Sequence, residues 1–100
     1  MAGDAAVDAV YIASPVAEHL HQALLVCEAG KPLLIEKPLA LTCVDGQKIT
    51  DAFAGRKLPL AAGLMMRFGA HIRQMKACLQ AGDIGPLVSA YARFSCWYPD

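Results

Sequence analysis

The chain of 100 residues has no excess of charge of either sign, since nine Lys and Arg balance nine Asp and Glu. A neutral chain gives no electrostatic reason to expect a nucleic acid or an anionic membrane as partner. No apolar run approaches the roughly 20 residues that cross a bilayer, and the first residues lack the basic segment and apolar core of a signal peptide. We therefore predict no nucleic-acid partner and no membrane partner.

Paired metal-binding or disulfide patterns are also missing. The four cysteines lie far apart, without a C-x-x-C pair or a nearby histidine pattern: Cys27, Cys43, Cys78 and Cys96. This spacing favours reduced, mostly buried thiols in a cytoplasmic protein over disulfides or a zinc site. We therefore expect a cytoplasmic location. No histidine–carboxylate spacing indicates a metal, so we also expect no metal.

Apolar residues, in contrast, are abundant. They make up 56% of the chain and charged residues only 18%, which is more apolar than usual for a domain of this size. Two interpretations follow: the chain carries an oligomer interface, or it is part of a larger protein that covers the excess apolar surface.

Three short apolar runs alternate with two helical patterns. Residues 7–13, 32–35 and 58–63 are predicted as strands buried on both faces, as in a parallel sheet. Between the first two runs, Ser14 can cap a helix that has Pro15 at its first position and Gly30 as its left-handed end. Between the last two, Thr42 caps a helix that reaches about Phe53. The resulting β-α-β-α-β order predicts an α/β fold, half of a doubly wound parallel sheet of the Rossmann type.

The pattern changes after Gly63. A helix is predicted with Phe68, Ile72, Met75 and Leu79 on one face, followed by a half-exposed strand over residues 87–97 with strict alternation. This indicates that a different sheet begins here, and the family resemblance described below implies that it is the antiparallel sheet of an α+β domain. We therefore place a boundary near residue 67, with the C-terminal part of a Rossmann domain in residues 1–67 and the start of a second domain in residues 68–100.

Two charged residues, Glu36 and Lys37, end the second apolar run. Pro38 favours an extended backbone at Lys37, so the strand is predicted to continue through it. Open parallel sheets bind ligands beyond the carboxyl ends of their strands, which makes this pair the candidate chemical centre. Adjacent strand residues point to opposite faces, which argues against an ion pair between the two. The alternative is an ordinary surface lysine.

An ordered set of motifs resembles one known family. The set comprises Asp8-Ala9-Val10-Tyr11-Ile12-Ala13-Ser14-Pro15, His19, Glu28-Ala29-Gly30-Lys31-Pro32, Glu36-Lys37-Pro38, Gly63 with Arg67-Phe68, and Gly82-Asp83-Ile84-Gly85. It is similar to the Gfo/Idh/MocA oxidoreductases, the relatives of glucose–fructose oxidoreductase and inositol dehydrogenase. The resemblance implies a two-domain NAD- or NADP-dependent enzyme that transfers a hydride between nicotinamide and a sugar-like, polyol or carbonyl substrate. It also implies a homo-oligomer formed through the open sheet of the second domain.

The resemblance assigns roles to six residues. Lys37 would be catalytic, reaching both the nicotinamide ribose and the substrate hydroxyl. The cofactor-binding set would comprise Ser14, Pro15, His19, Glu36, Lys37 and Arg67, with Arg67 at the cleft between the domains. For His19 the alternative is a polar helix-start residue, and for Arg67 a structural ion pair at the domain hinge.

Two family elements have no counterpart in this sequence. It contains no G-x-G-x-x-G turn with a ribose selector, and no Asp-x-x-x-His element of the second domain. We therefore expect the middle part of a dehydrogenase, inactive as an isolated chain because no helix N-terminus receives the pyrophosphate. The alternatives are a non-catalytic dinucleotide-sensing or regulatory protein of the same fold and an inactive truncated remnant.

Overall fold

Three parallel strands of three residues each form one sheet in the computed structural model, which describes residues 2–97. The strands are β1 (Val10–Ile12), β2 (Leu33–Ile35) and β3 (Leu60–Ala62). β2 lies in the centre, with Leu34 opposite both Tyr11 and Ala61. The order and direction of the strands confirm the predicted parallel Rossmann-type sheet.

Two helices connect the strands. A 3₁₀ turn, Val16–Glu18, leads into α1 (His19–Glu28), and α2 (Cys43–Gly55) lies between β2 and β3. Gly30 ends the first crossover with a φ of +72°, as predicted. The prediction for Thr42 is also confirmed, because its hydroxyl accepts the backbone N–H of Asp45 at 3.1 Å.

The core lies on one face of the sheet. Its nine buried apolar residues come from β1, β2 and the two helices: Val10, Ile12, Ala23, Val26, Cys27, Leu33, Ile35, Ile49 and Phe53. The middle residues of the strands face the other way, and Tyr11 is 54% and Leu34 43% exposed. The expectation of strands buried on both faces is therefore wrong. Two right-handed crossovers that both step in the same direction place their helices on the same side of the sheet.

Two local predictions are also wrong. Ser14 does not cap the helix, because its hydroxyl donates to the side chain of Gln22 and the α-helix begins at His19. β2 ends at Ile35, because the N–H of Lys37 is donated to the carboxylate of Glu36 and not to a neighbouring strand. The peptide bond between Lys37 and Pro38 is cis.

The chain divides into two units, Met1–Leu64 and Met65–Asp100. The second contains a 3₁₀ helix, Met65–Phe68, and α3 (Ala70–Ala81), which Gly82 ends with a φ of +79°. The predicted strand over 87–97 is absent from the described residues. A strand needs a hydrogen-bonded neighbour, and no other extended segment is assigned within residues 65–97 to provide one. The last three residues of the predicted second domain, 98–100, lie outside the described residues.

The cysteines are free, but only Cys27 is buried; Cys43 and Cys96 are exposed and Cys78 is half-buried. The expectation of mostly buried thiols is therefore wrong. Cys43 is the first residue of α2 and faces solvent, and Cys96 lies in the exposed segment 87–97, which forms no strand. Within residues 2–97 no helix has both the length and the apolar character needed to cross a bilayer.

Candidate active site at the carboxyl edge of the sheet

The carboxyl ends of the three strands meet at one edge of the sheet, because the strands are parallel. The N–H of Glu36 donates to the carbonyl of Ile12 at 2.9 Å, and the N–H of Gly63 to that of Ile35 at 2.8 Å. These two bonds extend the strand pairing by one residue beyond the strands. They place Glu36 directly between the ends of β1 and β3.

The carboxylate of Glu36 is held by two donors. The Tyr11 hydroxyl donates to Oε1 at 2.8 Å, and the backbone N–H of Lys37 donates to Oε2 at 3.0 Å. The hydrogen bond from Tyr11, and then that from Lys37, lower the pKa of Glu36 below its ordinary value. The same bond to Glu36 raises the pKa of Tyr11. Glu36 is therefore a fixed, ionised acceptor at this edge.

Gly63 lies directly against this carboxylate. A Cβ built on Gly63 would stand 3.2 Å from Oε2, 3.3 Å from Oε1 and 3.3 Å from Cδ of Glu36. These contacts are closer than ordinary van der Waals distances, so the missing side chain is what makes room for the carboxylate. The side chain of Glu36, directly after β2, thus contacts Tyr11 of β1 and lies against Gly63, the residue after β3.

Lys37 has a fixed backbone and an unengaged side chain. Its N–H is bonded to Glu36, and its ammonium makes no hydrogen bond or ion pair with the described residues of the first unit. The side chain is exposed. Glu36 thus contacts the backbone of Lys37 and not its charge, which leaves the ammonium available for another group at the edge.

His19 is buried between two of the edge loops, with 1% of its surface exposed. Its Nε2 lies 3.0 Å from the carbonyl oxygen of Ser14, and its Nδ1 lies 3.0 Å from that of Pro38 and 3.3 Å from that of Leu39. Carbonyl oxygens only accept, so the ring nitrogen that carries the hydrogen decides which of the two loops receives the hydrogen bond.

Ser14 and Pro15 form the loop after β1. The Ser14 hydroxyl donates to Oε1 of Gln22 at 2.7 Å, one turn of α1 beyond His19. Pro15 has an extended backbone, with φ −55° and ψ 141°, and precedes the 3₁₀ turn. The first turn of α1 therefore holds this loop at both the hydroxyl and the carbonyl of Ser14.

Arg67 belongs to the second unit, where it is exposed in the 3₁₀ helix. Four of the six predicted residues, Ser14, Pro15, Glu36 and Lys37, thus lie in the loops at one edge of the first unit. His19, at the start of α1, contacts both of these loops. The role of Arg67 stays a prediction. No group of three His, Cys, Asp or Glu side chains suited to a metal is found among residues 2–97.

The sequence reasoning missed three residues of this edge, namely Tyr11, Gln22 and Gly63. A signal existed for Tyr11, because a phenol in an otherwise apolar strand usually has a hydrogen-bond partner for its hydroxyl. Gly63 was noted only as a motif residue, since its contact with Glu36 depends on the register of β2 and β3. Gln22 had no sequence signal, because its partner Ser14 was assigned to a helix cap.

The parallel sheet with its helices on one side is that of half a Rossmann-type fold, with a polar carboxyl edge. A family model described as "Oxidoreductase family, NAD-binding Rossmann fold" matches residues 1–64, so the chain belongs to the Gfo/Idh/MocA family. The resemblance drawn from the sequence motifs is thereby confirmed.

Similar proteins act on sugars and polyols by name. The chain is 49% identical over 87 residues to inositol 2-dehydrogenase 1 of Saccharopolyspora erythraea, a match over 83% of this chain and 25% of the relative. It is 30% identical over 95 residues to the NADP(+) D-xylose 1-dehydrogenase of Hypocrea jecorina, covering 95% of this chain and 24% of that one.

A solved structure with ligands is also similar. Scyllo-inositol dehydrogenase from Lactobacillus casei, crystallised with NAD(H) and scyllo-inositol, matches with a TM-score of 0.78 and 34% identity over 85% of this chain. That match covers 25% of the solved chain. The chain therefore spans about a quarter of the length of the curated relatives named above.

Proposed function

We propose that this chain provides the carboxyl-edge part of an NAD(P) site in an oxidoreductase. The reaction would transfer a hydride between nicotinamide and a sugar-like, polyol or related carbonyl substrate, with Lys37 as the acid–base or alkoxide-stabilising residue. The observation that carries the proposal is the unengaged ammonium of Lys37 on a backbone fixed by Glu36. Membership in the NAD-binding oxidoreductase family supports it.

The chemistry requires a group such as Lys37. A hydride leaves the carbon of a secondary alcohol only as the hydroxyl proton leaves, so a side chain within hydrogen-bond reach must accept that proton or stabilise the alkoxide. An ammonium does the second directly, and a partly desolvated lysine also relays the proton. Because the side chain of Lys37 makes no hydrogen bond or ion pair with the described residues of the first unit, its ammonium is available for this task.

The edge residues fit a dinucleotide. When bound, the cofactor supplies the hydride acceptor or donor. The ionised carboxylate of Glu36 has lone pairs beyond the two already engaged, which suit the hydroxyl groups of a ribose. Ser14 and Pro15 would line the same edge, and His19 would support the loops that form it. A cofactor-binding role for Arg67 is also part of the proposal. Both NAD and NADP remain within the proposal, since the relatives named above include an NADP(+) enzyme and an NAD(H)-bound structure.

A chimera tests the role of Lys37. The segment of the Saccharopolyspora inositol 2-dehydrogenase that aligns with this chain is replaced by the sequence of this chain, and NAD-dependent oxidation of inositol is measured. We expect activity, and a fall in kcat by about 10²- to 10⁴-fold for Lys37→Met. Lys37→Arg keeps the charge and separates alkoxide stabilisation from proton relay.

Lys48→Met is the matched control, because Lys48 is an exposed lysine on α2 that pairs with Asp45 at 3.0 Å. It should leave kcat unchanged. An active chimera in which Lys37→Met also retains kcat within a few-fold would contradict the role of Lys37. A chimera that binds NAD without turnover, with or without Lys37, would favour the dinucleotide-sensing alternative.

We also propose that the full protein is a cytoplasmic homo-oligomer assembled through its second domain. Support for assembly comes from large apolar side chains that are exposed in the second unit, among them Val88, Phe94 and Trp97. Free cysteines support a reducing compartment. Light scattering on the purified protein checks the oligomer, and Val88→Lys with Phe94→Lys should reduce the measured mass if these side chains lie in the interface.

A further inference from the structure

His19 has an unusual position for a polar side chain. It is the only polar residue among the buried side chains of the described chain, and both of its ring nitrogens face backbone carbonyl oxygens. One of these carbonyls belongs to the loop after β1 and the other to the loop after β2. The ring therefore connects two segments that are 24 residues apart in sequence, as read from Ser14 and Pro38.

We propose that His19 is a positioning residue, whose ring joins the Ser14 loop to the Pro38 loop and thereby fixes the backbone that carries Lys37. The proposal rests on the function proposed above for Lys37. It gives His19 a role that acts through the two loops and needs no direct contact with the cofactor.

The contacts around Lys37 show how this would work. Its N–H is bonded to the carboxylate of Glu36 at 3.0 Å, and the carbonyl of the next residue, Pro38, lies 3.0 Å from Nδ1 of His19. With the hydrogen on Nδ1, the backbone at Lys37 is thus hydrogen-bonded on both sides while its side chain stays unengaged. Without His19, packing of Leu39 and Ala40 on the core remains, but none of the described hydrogen bonds holds the Pro38 carbonyl. A displacement of about 1 Å at a reacting group can cost about 100-fold in rate, so this second attachment is significant.

The chemistry explains why histidine suits the position. Its two nitrogens lie on different edges of one flat ring, and they reach two carbonyls that approach from different loops. Phenylalanine fills a similar volume but donates to neither carbonyl. Glutamine carries its donors on one nitrogen and can replace at most part of the bridge. His21 lies two residues further along α1 and is exposed, so it offers a matched control.

The loop itself is examined first, in the 100-residue chain without cofactor. Amide hydrogen exchange and ¹H–¹⁵N spectra are compared for the native chain, His19→Phe, His19→Gln and His21→Phe. We expect His19→Phe to increase the exchange rate of the Lys37 amide by at least tenfold and to shift the signals of residues 36–40. His19→Gln should show a smaller effect and His21→Phe none.

Kinetics in the chimera supply the second measurement. His19→Phe should lower kcat at least tenfold while the KM for inositol changes less than threefold, with partial recovery in His19→Gln. Unchanged exchange at residues 36–40 in both His19 variants would overturn the proposal, and so would a loop that loosens without any change in kcat. If His19→Phe does not fold, the same comparison is made with His19→Gln. If the chimera that carries the unchanged sequence of this chain is inactive, the function proposed for Lys37 is refuted. The effect of His19 on the loop is not refuted by that result, because hydrogen exchange is measured without any enzymatic activity.

Discussion

Replacing Gly63 by alanine should disturb the carboxylate of Glu36 without disturbing the backbone. The φ angle of Gly63 does not lie in the left-handed region, so alanine is compatible with the local conformation. The new Cβ would stand nearly equally far from Oε2, Oε1 and Cδ, at 3.2, 3.3 and 3.3 Å. Such near-equal distances place it under the face of the carboxylate, so the group must move outward, perpendicular to its own plane.

The size of the movement follows from these distances. Ordinary contacts begin near 3.4 Å, so the carboxylate must move by about 0.2 Å at least, and by about 0.5 Å to reach a relaxed contact. The hydrogen bonds from Tyr11 and from the N–H of Lys37 then leave the carboxylate plane, where such bonds are strongest. We expect both bonds to weaken and neither to break. The pKa of Glu36 should rise towards its ordinary value and that of Tyr11 should fall.

NMR titration of the Glu36 carboxyl carbon and the Tyr11 ring resolves both groups individually. Gly63→Val should produce larger changes than Gly63→Ala in the same directions. Gly55→Ala is the control, because no atom lies within 4 Å of a Cβ built there. Folded Gly63 variants in which both pKa values equal those of the native chain would refute the account of this site.

Three further predictions concern stability. Phe53→Ala removes a fully buried ring from the core and should lower the free energy of unfolding by about 3–5 kcal/mol in urea titration. Gly46→Ala should raise the free energy of unfolding by about 0.5–1 kcal/mol, because alanine is favoured over glycine inside a helix such as α2. The new methyl group also has room, since it would stand 3.8 Å from Leu39 Cδ2. The pKa of Glu36 is lowered in the fold and that of Tyr11 raised, so their bond should stabilise the native chain most between about pH 4.3 and pH 10. That contribution is lost as pH falls through the folded pKa of Glu36 or rises through that of Tyr11. The difference in urea midpoint between the native chain and Tyr11→Phe should therefore shrink at both extremes, and a constant difference across pH would contradict this.

Local patterns were sufficient to predict the order of elements in the first unit. The apolar runs around Val10, Leu33 and Leu60 were found because each is short and bounded by turn residues. The ends at Gly30 and Thr42 were found because each depends on one residue and its immediate neighbours. The position of Lys37 at the carboxyl edge followed from strand order alone.

Features that depend on tertiary contacts were not predicted. The uncovered face of the sheet follows from both crossovers lying on one side, which no single strand encodes. The partners of Glu36 come from two other strands, so Tyr11 and Gly63 could not be assigned from the motif around Lys37. The alternation over residues 87–97 is real in the sequence, but a strand also requires a neighbour, and the pattern carries no information about one.

The side chains on the uncovered face of the sheet project from it by different distances. Tyr11, Leu34 and Ala61 stand side by side across β1, β2 and β3, one residue from each strand. Their side chains decrease in size in that order, so the surface slopes from the phenol ring down to a single methyl group. A flat element laid on this face would touch Tyr11 and leave a gap above Ala61 unless it carried its own larger side chains over β3. Enlarging Ala61 would level the slope without altering any residue of the core.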